Sequence, residues 1–296
     1  MEASPEKIQR KIKQAGDLGS VVKTMKAITS SRISGYQRAA KALDAYYQTL
    51  LMGMHTYLRQ YPLAKPLQDR PDQQKEISAV FLVFGSDQGL VGPFNNTIAD
   101  FFQKGRPTAI KRYTLWAIGE RVKFVLEDSG FPVSRTFPLP QSIEGITAFV
   151  SNLLIAIDGL KAAENTPDIY SFFNRPGKFE GYVPVRRQIL PFGKEWWTRA
   201  KQLQWPSNRL PQLIGNHATV FSALFREYLF TSFYRACAFS LSSENTSRLK
   251  AMLRAEKNIE ELGSKLHSDY HQLRQNAIDT ELFDVIAGFH FLNTGI

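Results

Sequence analysis

The sequence predicts an α/β protein in which a long helix at each end of the chain pairs into an antiparallel coiled coil, with a compact α/β domain between them. Three observations carry that prediction. Fourteen of the 15 prolines lie between Pro62 and Pro211, and only Pro5 falls outside. Apolar residues near both ends recur at alternating steps of three and four, the period of a coiled-coil seam. In the middle, short apolar runs alternate with amphipathic stretches.

Proline in a helix interior costs about 3 kcal/mol, so the proline-free stretches from Glu6 to Tyr61 and from Gln212 to Ile296 can each be one continuous helix. The first has a start signal, with Ser4 as a cap and Pro5 at the first helical position, where its missing N–H is no loss. Its seam reads Ile8, Ile12, Ala15, Gly19, Val22, then Ile33, Tyr36, Ala40, Leu43, Tyr47, Leu50, Met54 and Tyr57. Lys26 and Thr29 interrupt it, while Val21, Met25 and Ile28 put an apolar stripe on the adjacent face. Gly16 and Gly19 weaken the early part by about 1 kcal/mol each. At about 1.5 Å per residue, such a helix would reach roughly 80 Å.

In the second stretch Leu249, Met252, Ile259, Leu266, Tyr270, Leu273 and Ala277 fall in heptad phase, with Glu256 and Gly263 as gaps. Its first part, Ala218 to Leu241, is apolar all round and is expected to pack partly elsewhere. No third long helix is available, so the two ends pair with each other. The expected division is 1–61 for the first coiled-coil helix, 62–211 for the central domain with its linkers, and 212–296 for the second helix.

The middle opens with Ala79 to Phe84, a continuous apolar run closed by Gly85, as expected for a parallel strand buried on both faces. Further strands are expected at Tyr113 to Ile118, near Thr136, and at Asp168 to Phe173. Helices are expected at Phe94 to Phe102, Glu120 to Ser129 and Ser142 to Ala163. Such alternation implies right-handed crossovers.

Composition narrows the function classes. Hydrophobic residues at 43% and charged residues at 22% suit a chain with a buried core. The single cysteine, Cys237, excludes a disulfide framework and points to a reducing compartment. The opening residues carry no apolar signal region, and no apolar run approaches the length of a membrane span. The net charge is +10, most of it from nine basic residues between Lys7 and Lys41 (Lys7, Arg10, Lys11, Lys13, Lys23, Lys26, Arg32, Arg38, Lys41) against one acid, Asp17. A basic helix of this kind suits an acidic protein partner, a solvated face or a nucleic-acid arm; no base-reading motif accompanies it, and nucleic acid is not expected.

Candidate chemistry is sparse. Gly85 to Gly92 sits between a strand and a helix, where a phosphate loop would lie, but matches neither G-x-G-x-x-G nor the P-loop, and reads as a tight turn. His267 and His271 stand four apart without a third ligand, so no metal is expected. Trp196 and Trp197 read as core plugs in a linker, and Cys237 as a buried thiol. Asn95 and Asn245 match glycosylation acceptors, which have no role without secretion. No catalytic constellation and no cofactor site emerges.

Five segments, in order, resemble the γ subunit of F-type ATP synthases. Val21 to Ile33 resembles that family's "ITKAMKMVAAAKL", and Phe84 to Asn95 its "TSDRGLCGGLN". Phe233 to Ala236, Ser243 to Met252 and Arg274 to Leu282 resemble "LYRA", "SEHAARMVAM" and "RQAAITQEL". The resemblance implies an antiparallel coiled coil with a Rossmann-like domain, acting as a non-catalytic rotor shaft that couples ion translocation to ATP synthesis or hydrolysis at the β subunits. It implies as partners the α and β subunits of the catalytic hexamer, the ε subunit and the c-ring of the membrane sector. It further implies a peripheral place on the cytoplasmic face of a bacterial inner membrane. Lys23, Met25 and Lys26 then fall near a β-subunit loop, and Arg248 and Gln275 at positions that hold β as a catch. Asp279 stands where the family has a threonine, and Val91-Gly-Pro93 where it has Cys-Gly-Gly, marking a divergent branch. The competing reading is a coiled-coil scaffold or a nucleic-acid-binding protein using the same basic helix.

Overall fold

The computed structural model describes residues 4–61, 78–160, 167–177, 181–203, 205, 207, 209 and 211–293, with side chains to 286 in the last helix. The chain divides into two compact units, Thr29–Arg248 and the pair Met1–Ile28 with Leu249–Ile296. Two long helices contribute to both: α1, Pro5–Gln60, and α6, His217–Asn293.

In the larger unit a five-stranded sheet is built from β1 (Ser78–Phe84), β2 (Arg112–Ile118), β3 (Arg135–Phe137), β4 (Asp168–Pro176) and β5 (Tyr182–Leu190), in the order β3-β2-β1-β4-β5. The first four strands are parallel, and β5 runs antiparallel to β4. The connecting helices are α2 (Phe94–Gly105), α3 (Glu120–Asp128) and α4 (Gly145–Leu160). Alternation along β1 sorts the two faces. Phe81 and Val83 join Ile98 and Phe102 of α2 and Val122 and Leu126 of α3 in one core. Leu82 and Phe84 join Ile146, Val150 and Leu153 of α4 with Met54 of α1 and Phe233 of α6 in the other. Both faces are therefore covered, which is why β1 reads as an unbroken apolar run.

The expected strands and helices of the middle appear within a few residues of their expected ends; residues 161–163 lie outside the described residues. Two elements were not expected. The strand β5 carries Pro184 opposite Asn174 and the adjacent pair Arg186 and Arg187, residues an edge strand tolerates because its outer N–H groups need no partner. The helix α5, Lys194–Gln202, replaces the expected linker. Its Trp196 is buried and stacks near Phe192 and Tyr228, so the core-plug reading holds for it.

The central parts of α1 and α6 also run antiparallel: Tyr47 stacks on Tyr228, Tyr57 on Phe221 and Tyr61 against His217. From Tyr228 to Arg248, α6 is buried almost all round; of the expected apolar stretch Ala218 to Leu241, the part before Tyr228 is exposed or half-buried.

In the smaller unit the Ser4 carbonyl accepts the N–H groups of Lys7 and Ile8 at the start of α1. Lys26 pairs with Glu256, and Gly19 faces Ile259, so residue numbers fall on one helix as they rise on the other: the pair is antiparallel. Ile8, Ala15, Val22, Met252 and Leu266 are the buried seam. Gly16, Gly19 and Gly263 lack side chains to fill it, and a cavity of about 320 Å³ lies beside them.

Candidate partner-binding surface

The smaller unit exposes what its seam does not use. Lys7, Arg10, Lys11, Lys13 and Lys23 are all exposed on α1. Lys26 is half-buried, with its Nζ 2.6 and 2.8 Å from the two oxygens of Glu256, so it is neutralised inside the unit. Met25 is half-buried, while Leu18, Val21 and Ile28 lie exposed on the adjacent apolar stripe. The structure thus leaves Lys23 free on the surface and draws Lys26 into the seam.

Farther along α6, Gln275 and Asp279 are both exposed and lie four apart, one turn from each other on one face. Because α1 begins at Pro5, its antiparallel register with α6 runs out near residue 275, by the equal rise of two helices. Every residue from Arg274 to Ile286 is exposed, among them Ile278, Leu282, Phe283 (69%), Val285 (68%) and Ile286. An apolar helix end of this kind marks an interaction site rather than a free surface. The seam reading stopped at Ala277; the continuing spacing Ile278, Leu282, Val285 was the available signal, and only the register shows that α1 offers it no partner.

Within the larger unit Arg248 is buried, with a guanidinium nitrogen 2.6 Å from Glu244 one turn earlier. Around this pair stand Arg32 and Tyr36 of α1 and Asp87 of the β1–α2 turn, enclosing a space of only about 30 Å³. Burial pushes the Glu244 carboxyl up to about 7, against the opposing pull of Arg248 and with a further push from Asp87. A carboxyl so placed changes charge near neutrality.

The carboxyl ends of the parallel strands are where α/β sheets take ligands. Here the protein fills that crevice itself. Ser243 Oγ donates to the Asn174 carbonyl at the end of β4, and Ser247 Oγ to the Val91 carbonyl in the turn after β1. The turn is further tied by Asn95, whose side chain bonds the Ser86 N–H and hydroxyl, and by Asp87, which accepts the N–H groups of Glu120 and Leu139. Gly85 is required, since a Cβ there would stand 2.2 Å from Val122 Cβ. The stretch Gly85 to Gly92 is a turn tied by these bonds to α2, α3 and α6.

The remaining candidates settle as structure. His267 and His271 are exposed, and no group of three metal-ligating side chains occurs among the described residues. Cys237 is fully buried, and burial pushes its thiol far above the ordinary value, which removes its reactivity. Asn95 and Asn245 are both buried.

Comparison with known proteins agrees with this organisation. The family model described as ATP synthase matches residues 4–292. The chain is 25% identical over 295 residues to the ATP synthase gamma chain of Geotalea uraniireducens, covering 97% of this chain and 98% of that one. It is 25% identical over 297 residues to the ATP synthase gamma chain of Brevibacillus brevis, covering 95% and 96%. Among solved structures, it shares its fold with a chain of the Euglena gracilis mitochondrial ATP synthase OSCP/F1/c-ring assembly (TM-score 0.63, 15% identity, 98% of this chain and 95% of that one). The Tetrahymena thermophila mitochondrial ATP synthase central stalk and c-ring structure contains another such chain (TM-score 0.56, 16% identity, 79% and 99%).

Proposed function

The chain belongs to the ATP synthase gamma-chain family, and on that premise we propose that it couples ion translocation through a membrane sector to ATP synthesis or hydrolysis at catalytic sites on the β subunits. It is a non-catalytic subunit of the central stalk, the rotor of that complex. No helix among the described residues is long and apolar enough to cross a membrane, in keeping with a peripheral component of a membrane-attached assembly.

The observation that most supports the coupling reading is the set of exposed apolar residues Ile278, Leu282, Phe283, Val285 and Ile286, interspersed with Asp279, Glu281 and Asp284. A bearing needs a surface that is desolvated by its housing yet makes no fixed polar bonds, and an apolar helix end supplies one. In this reading the paired helices of the smaller unit stand within the hexamer of α and β subunits. Lys23 and Met25 face an acidic β loop through contacts that slide, because exposed ion pairs are individually weak. Lys26 joins that contact by leaving Glu256. Gln275 holds β as a catch by hydrogen bonding, and Asp279, one turn on, adds a carboxylate. Arg248 completes the catch once its bond to Glu244 opens. The larger unit engages the ε subunit and the c-ring, on the cytoplasmic face of a bacterial inner membrane.

The test is ATP-driven ion pumping by the assembled complex. Gln275→Leu and Arg248→Ala should each lower pumping per ATP hydrolysed while the complex still assembles. Wild-type coupling in both would remove the catch from the mechanism, and failure of the chain to co-purify with α and β in single copy would remove the function.

A further inference from the structure

One cavity of the larger unit has no part in the reading above. It measures about 550 Å³, in the range of small-molecule sites, and lies between β4, β5, α5 and the central parts of α1 and α6. Six cations line it: Arg175, Arg186, Arg187, Lys194, Arg199 and Arg235. Among the described residues Glu195 is the one lining acid. Two of the six are already fixed by the protein. Arg186 donates to the Gly105 carbonyl at 2.6 Å, and Arg235 pairs with Asp44 while lying over the Tyr47 ring. Among the described residues, Arg175, Arg187 and Arg199 form no ion pair.

Like charges are normally spread over a surface; here they converge on one concavity with aromatic walls, Phe173, Trp196 and Tyr228 among them. Low-dielectric walls focus the field of such a cluster and raise the local concentration of anions. Burial pushes the Arg187 guanidinium below the ordinary value; Tyr47 and Tyr228 pull against that, while the Arg199 and Arg235 charges push with it. The α5 N-terminus adds to it, since its capping residue is Gly193, without a side-chain cap, and Gly193 lines the cavity too. Arg175, Arg186, Lys194 and Arg199 are exposed at the rim, and Arg187 and Arg235 are half-buried farther in, so an anion entering the cavity would meet the less hydrated charges last.

We propose that this cavity binds a phosphate-bearing anion carrying at least two negative charges, held by the free forks of Arg175, Arg187 and Arg199. Planar guanidinium groups grip phosphate oxygens two at a time, and several converging forks favour a diphosphate over a monoanion. The site stands apart from the rotor reading and survives its failure.

Titration calorimetry of the full-length chain with inorganic pyrophosphate tests it. Saturable one-to-one binding is expected, weakening as salt rises. Arg187→Met and Arg199→Met should each weaken it about tenfold or more. Arg199 is exposed, so its variant tests the site even if the change at the half-buried Arg187 impairs folding. Phosphatidylcholine vesicles with and without phosphatidic acid separate the sources. Sedimentation with the acidic vesicles only, competed by pyrophosphate, identifies a lipid headgroup; pyrophosphate binding without sedimentation identifies a soluble phosphate. Absence of pyrophosphate binding at millimolar concentration, unaltered binding by both variants, or binding of a polyglutamate peptide but not of pyrophosphate would overturn the proposal, the last in favour of an acidic protein surface.

Discussion

Between Tyr228 and Arg248, within the larger unit, α6 hides Phe233, Ala236, Cys237, Ala238 and Leu241, and even Ser240, Ser242 and Ser243. Beyond Leu249, within the smaller unit, it hides among the described side chains only Met252 and Leu266, and leaves Leu253, Leu262 and everything from Arg274 to Ile286 exposed. The partner helix shows the same contrast: Tyr36, Ala40, Leu51 and Met54 are essentially inaccessible, whereas the early seam rests on Ile8, Ala15 and Val22. One pair of helices is a core element in one unit and a two-stranded seam in the other. The seam cannot owe much of its order to buried area, and the surface it leaves uncovered is the part available to partners.

Substitutions break or sharpen this contrast. Phe233→Ala removes a fully buried ring from the large core and should cost about 3–5 kcal/mol in denaturant unfolding. Met252→Ala, in the thin seam, should cost about 2 kcal/mol, near the low end for such a truncation, because the site opens readily to water; equal losses for the two would erase the contrast. The Glu244 carboxyl adds a pH term to the larger unit. Its folded value is about 7 against an ordinary 4.5, so the folded state holds the proton more tightly. Stability is full below about 4.5 and falls as pH rises through 7, with a slope approaching about 1.4 kcal/mol per pH unit. Glu244→Gln should flatten that slope in melting curves taken between pH 5 and 7. The smallest effect belongs to the smaller unit's ion pair: Lys26→Met should change stability by less than about 1 kcal/mol, and the difference should shrink in high salt.

Much of the fold was legible. The seam was readable from its alternating steps of three and four: each named position of α1 from Ile8 to Tyr57 is buried or half-buried, whereas on α6 the last named position, Ala277, is exposed. The strand β1 was readable because burial on both faces leaves no polar alternation. The strand β5 and the helix α5 were not, since an edge strand with Pro184 and a nine-residue helix rich in charge carry no periodic signal. Asp87 was hidden for another reason: it bonds Glu120 and Leu139, and nothing local announces a bond across 33 or 52 residues. Glu244 and Arg248 are visibly spaced for a helical pair, but only packing makes that pair buried and titratable near neutrality. The apolar end of α6 was spelled out in the residues, yet its lack of a mate depends on where α1 begins.

The serine-rich turns of α6 at the sheet's carboxyl edge have one further mechanical effect. Ser243 and Ser247 lie on adjacent turns and fasten the helix to two separate places, the end of β4 and the loop leaving β1. A cylinder held at one point can swivel; held at two, and flanked by the Glu244–Arg248 bridge, it cannot turn about its own axis without dragging the sheet along. Twist applied to this stretch of α6 is therefore handed to the five strands as a rigid load rather than lost as slip between helix and domain.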